Sequence, residues 1–125
     1  MKRIFLFVLF AFAFASCKTN SDDDKGSLVI SNRQDNSNIQ ISAVYVMQQG
    51  TNGYNLVYSG SIPASKSHFI ELKPGNYSVK IATSTNLADI FSAVRYYDTG
   101  YNIYKPVREG GFVNVAFDGS GIYFE

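Results

Sequence analysis

A chain of 125 residues with 11 Lys and Arg against 10 Asp and Glu carries a formal charge of +1, too even a balance for a surface that displaces counterions from nucleic acid. One cysteine, Cys17, and one histidine, His68, exclude a disulfide framework and leave only carboxylates for a metal centre. No cofactor is expected.

In chain order, residues 1–16 have the three parts of a secretory signal. Lys2 and Arg3 form a positive start, an unbroken apolar run follows from Ile4 to Phe14, and Ala15-Ser16 supplies small residues before a cut. The run is short for a transmembrane helix, which needs about 20 residues. Phe14-Ala15-Ser16-Cys17 resembles a lipobox, with Phe14 where an aliphatic residue is usual. That resemblance implies cleavage between Ser16 and Cys17 and acyl chains on Cys17, giving a membrane partner through the lipid anchor. Without residues 1–16, Lys plus Arg falls to 9 against 10 acids, and the balance becomes −1.

Residues 17–26 hold the lipidated Cys17 and an acidic linker of low hydrophobicity, expected to be disordered. Ser21-Asp22-Asp23-Asp24 resembles the surface-export signal of Bacteroidota-type lipoproteins, which implies an outer-membrane, cell-surface location.

From residue 27 onward the periodicity is that of strands. The apolar run 27–31 comes first. Ile39–Gln48 places Ile39, Ile41, Ala43, Tyr45 and Met47 on one face, and Val44 and Val46 on the other, as in a strand covered on both sides. Further strands are expected at 54–58, 68–72, 77–83, about 93–98, 112–117 and 122–124. Pro74-Gly75 reads as the centre of a type II turn. Residues 86–95 are ambiguous, and irregular chain or one helical turn is expected before the strand at 93. Short strands with turns every 8–12 residues predict an all-β domain over 27–125, a small antiparallel β-sandwich of about seven strands.

The stretches Ile41-Ser42-Ala43-Val44-Tyr45-Val46, Gly60-Ser61-Ile62-Pro63 and Phe69-Ile70-Glu71-Leu72-Lys73-Pro74-Gly75-Asn76-Tyr77-Ser78-Val79 resemble a group of secreted Ig-like or transthyretin-like sandwiches. Ala64 stands where that group often has Gly. The resemblance covers about a third of the chain and implies a scaffold without catalytic residues.

Nucleophilic catalysis needs a base beside a Ser, Thr or Cys, and His68, expected to face solvent from a strand, has no evident third member. Asp35, Glu71, Asp89, Asp98, Glu109, Asp118 and Glu125 are scattered, mostly beside turns. The segment 96–104 concentrates Tyr96, Tyr97, Tyr101 and Tyr104 with Asp98, Thr99 and Asn102 between them. Tyrosine joins a large apolar face to a hydroxyl, which suits contact with a sugar or a protein. The expected function is a non-enzymatic binding module for a glycan or envelope protein. The alternatives are a structural accessory module of an envelope assembly, joined by strand addition, and a hydrolase.

Overall fold

The structure, a computed structural model, describes residues 25–87 and 91–125. The signal peptide, Ser16 and Cys17 at its cleavage point, and the run Ser21, Asp22, Asp23 and Asp24 lie outside the described residues.

Every regular element among the described residues is a strand: β1 Gly26–Asn32, β2 Ile39–Gln48, β3 Asn55–Ile62, β4 Ser67–Leu72, β5 Gly75–Leu87, β6 Phe91–Asp98, β7 Lys105–Val107, β8 Phe112–Phe117 and β9 Ile122–Phe124. Sheet I has the order β9-β8-β1-β4. Its β1–β8 pair is parallel, and its other pairs are antiparallel. Sheet II runs β3-β2-β5-β6, with β7 also on β5. The two sheets pack as a small β-sandwich, the expected fold class.

Alternation builds the core. Leu28 and Ile30 of β1 share inward rows with Val113 and Val115 of β8 and with Ile70 of β4, and all are buried. From sheet II they meet Ile41, Val44, Val46, Ile62, Val79 and Ile81. Each such side chain, fully buried, contributes roughly 1.5–3 kcal/mol from lost apolar exposure.

Two-faced apolarity in β2 has a different origin from the one expected. Ile41 pairs with Thr83 but Ala43 pairs with Ala82, so Ser42 is an extra, bulged residue. A bulge switches the parity of a strand. Ile39 and Ile41 face inward before it, and Val44 and Val46 after it, while Tyr45 and Met47 turn outward.

Four further expectations are corrected. Gly75 has no positive φ and pairs with Val107, so the type II turn is absent. The reason is topological: β4 and β5 belong to different sheets, and Lys73-Pro74 crosses between them rather than closing a hairpin. Residues 86–87 and 91–92, expected as irregular chain or a helical turn, are strand, with Leu87 paired to Phe91; residues 88–90 lie outside the described part. The short β7 was not expected, and the described strands number nine rather than about seven. Finally, His68 shares the inward row of Ile30, half-buried with its ring 4.2 Å from that of Tyr58, and Phe69 takes the solvent side.

Polar contacts close one end of the sandwich. Asn32, 1% exposed, sends Nδ2 from sheet I to two carbonyls of sheet II, Ile62 O at 3.0 Å and Ile39 O at 3.3 Å. Gln34 Nε2 also donates to Ile39 O, at 3.0 Å. At the other end Tyr77 is buried, its hydroxyl donating to Lys73 O at 2.7 Å, and burial raises its pKa above the usual phenol value.

Asn32→Ala therefore strips Ile62 O of this side-chain donor while leaving Gln34 on Ile39 O. It also removes Asn32 Oδ1, a buried acceptor with no partner among the described residues, which offsets part of the loss. The expected cost is about 1–2 kcal/mol. Urea denaturation should show it as a lower midpoint with an unchanged slope.

Candidate functional site

The outer face of sheet II is built around Lys80. In register across the sheet, Lys80 of β5 lies between Tyr45 of β2 and Asp98 of β6, and Leu56 of β3 lies beyond Tyr45. The adjacent row brings Tyr96 beside Ala82 and Ala43. The Lys80 ammonium stands 4.8 Å from the ring centre of Tyr54, 5.1 Å from Tyr45 and 5.5 Å from Tyr96. A cation over an aromatic face is held by the ring's quadrupole, at about 0.5–1 kcal/mol per contact where partly solvated. Lys80 thus organises three rings from three parts of the chain into one cluster.

Small residues let those rings define the relief. Ala43, Ala82 and Ser78 occupy outward positions yet are buried, overhung by larger neighbours, whereas Tyr96 remains 60% exposed. A line of hydroxyls fixes one side. Tyr54 OH lies 3.1 Å from Ser78 Oγ, which lies 3.2 Å from Thr99 Oγ1. Thr99 holds Val79 twice, donating its amide to Val79 O and accepting the Val79 amide at Oγ1.

Beyond Thr99 the chain leaves the sheet. Gly100 at φ 118° and Asn102 at φ 60° turn it outward, Asp98 Oδ1 accepts the Gly100 amide at 2.9 Å, and β7 then rejoins β5 at Tyr77. Strands β6 and β7 are in effect one edge strand with an excursion at its middle. The excursion exposes Tyr101 by 89% and Ile103 by 49%.

The four tyrosines expected to form a patch therefore divide. Tyr96 joins the Lys80 cluster, and Tyr101 projects from the loop. Tyr97, adjacent to Tyr96 on a strand, points the other way and packs between the sheets, its ring 5.0 Å from that of Phe117, so it leaves the patch. Tyr104 is half-buried just before β7. Sequence reasoning missed Lys80, Tyr45 and Tyr54. The available signal was the pairing of 39–48 with 77–83 as neighbouring strands, but the bulge at Ser42 hides the face on which Tyr45 lies.

Clefts also lie elsewhere among the described residues. One of about 430 Å³ opens between β3 and the β4–β5 crossover, with Lys25, Glu71 and Lys73 at its rim over Val57, Leu72 and Tyr77. Another of about 330 Å³ is lined by Ser31, Asn32, Arg33, Ser65, Lys66 and Ser67. Neither of these two, nor a third of about 270 Å³ beside Arg95 and Tyr97, brings two carboxylates together, and among the described residues no three His, Cys, Asp or Glu side chains converge as metal ligands. No protein-family model and no curated protein sequence matches the chain.

The division of the tyrosines has a measurable consequence. Tyr97→Ala should lower stability by about 2–3 kcal/mol by opening a void against Phe117. Tyr101→Ala, on an exposed loop, should stay within about 0.5 kcal/mol of the parent. Thermal unfolding of the two variants side by side checks both.

Proposed function

We propose that the chain is a lipoprotein anchored through Cys17, displayed at the cell surface from the outer membrane, and that its sandwich is a non-enzymatic module binding a glycan through the Lys80 face. The observation that carries the binding reading is the cluster of Tyr45, Tyr54 and Tyr96 around one ammonium on an open sheet. Aromatic faces accept the apolar faces of sugar rings, and phenol and ammonium groups beside them reach sugar hydroxyls. The site is largely preformed. Lys80 and the Tyr54–Ser78–Thr99 hydroxyls hold the rings in place, which lowers the entropy lost on binding. Tyr101 and Ile103, on the excursion beside Thr99, supply a second contact from the side.

The reading of the domain as an accessory module joined by strand addition would use a free edge. Strand β3 is an uncharged edge strand, but Tyr58 OH takes the Ser61 amide at 3.2 Å and contacts Ser61 O at 3.4 Å, covering the C-terminal part. The lipoprotein reading is supported by the residues of the lipobox and of the acidic run.

A glycan array probed with the folded domain, and then with Tyr45→Ala plus Tyr96→Ala, tests the binding reading. The double variant should lose at least tenfold in affinity, about 1.4 kcal/mol, with little change in melting temperature. An array with no bound glycan would refute it. The anchor is tested separately: Cys17→Ala should move the protein from the detergent phase to the aqueous phase. Replacing Asp22, Asp23 and Asp24 by Ala should keep lipidation but abolish cleavage by protease added to intact cells.

A further inference from the structure

The two outer faces of the sandwich differ in chemistry. The Lys80 face carries an ammonium and tyrosine hydroxyls, which suit water and polar ligands, beside exposed Leu56 and Val94. The outer face of sheet I carries phenylalanines. Phe112 of β8 and Phe69 of β4 are each 66% exposed, and Tyr123 of β9 is 44% exposed. Register places them in succession along β1: Phe112 beside Ser27, Phe69 beside Val29, and Tyr123 beside Ala116, the partner of Ser31. At about 3.3 Å per residue, the three rows span about 13 Å. The floor between them is uncharged, formed by Ser27, Val29, Ser31, Asn114 and Ala116. Its acids lie on the outer strands: Glu71, exposed on the edge strand β4, pairs with Ser27 in the row of Phe112, and Glu125, after the edge strand β9, is paired with Arg33 at 2.7 Å.

The start of this face coincides with the point where the tether enters. Gly26 opens β1 one residue before Ser27, the register partner of Phe112. The nine steps from Cys17 to Gly26 reach about 30 Å at full stretch, so a lipidated Cys17 keeps the Phe112 end within one domain diameter of the acyl chains.

We propose that the outer face of sheet I lies on the lipid surface to which the chain is anchored, with Phe112 and Phe69 among the headgroups. The proposal rests on the lipoprotein reading. Phenylalanine has no polar group to keep in water, and a bilayer interface covers such rings in a way that bulk solvent does not. In this orientation the Lys80 face, on the opposite sheet, points away from the membrane.

The chain contains no tryptophan, so single substitutions give clean reporters. Full-length lipidated protein carrying Phe69→Trp, Phe112→Trp or, on the other face, Tyr96→Trp is reconstituted into phosphatidylethanolamine/phosphatidylglycerol vesicles with brominated acyl chains. Fluorescence should fall at least twofold for the two Phe variants and stay unchanged for Tyr96→Trp. Tyr123→Trp serves if either Phe variant fails to fold. Flotation with the vesicles without selective quenching overturns the face proposal alone. Failure to float with the vesicles overturns the anchor reading and the proposal with it.

Discussion

The single extra residue in β2 decides what the rest of the molecule becomes. Without Ser42 as a bulge, strict alternation from Ile41 would turn Tyr45 inward and send Val44 and Val46 into solvent. With it, both valines join the core and Tyr45 stands over the outer face beside Lys80. The extra residue is held locally, since Ser42 Oγ donates to Ala82 O at 3.3 Å across the pair. Burial of two valines and construction of the tyrosine cluster are thus one event. Register in such a strand is strongly specified because a shift of one residue exchanges its two faces.

Close approach between the sheets imposes a second constraint, met by glycine and by amide side chains. A Cβ on Gly26 would overlap the Arg108 carbonyl oxygen and reach Val107 Cγ1 at 2.7 Å, so β1 can lie against the end of β7 only without a side chain there. Within the single strand β3, Gly60 gives room for the Tyr58 hydroxyl, which would lie 2.6 Å from its Cβ. That hydroxyl serves the Ser61 backbone in the stretch where β3 loses pairing with β2, between Ser59 and Ile62. Backbone groups freed by an irregular edge are thereby bonded within the chain instead of inviting another strand.

The architecture was legible wherever period two ran unbroken. The alternation over 77–83 placed Tyr77, Val79 and Ile81 inward, and Phe112 to Phe117 divided between the faces as their spacing implied. What failed depended on strand pairing, near or distant, that local composition does not carry. Pro74-Gly75 has turn composition, but the sheet joined by β5 is set by β2 and β7, so the pair became a crossover. Leu87 has helical spacing with residues after it, yet strand pairing continues through it to Phe91. For the site, the local cluster at 96–104 was visible as composition, and adjacency alone put Tyr96 and Tyr97 on opposite faces. Lys80 was not visible, because its three rings come from β2, the chain before β3, and β6.

The parallel pairing of β1 with β8 carries a consequence for how the chain can be handled before it folds. Strand β1 is interior to sheet I, and one of its two neighbours is contributed by residues near the opposite end of the described chain. Until β8 has arrived, β1 has an open side and Leu28 and Ile30 lack half of their cover. Non-local pairing of this kind delays folding, because the loop between the partners must close before the contact repays it. For a chain exported as proposed, that delay is useful. A polypeptide threaded through a translocation pore must stay extended during passage, and this topology withholds the second neighbour of β1 until β8 has crossed.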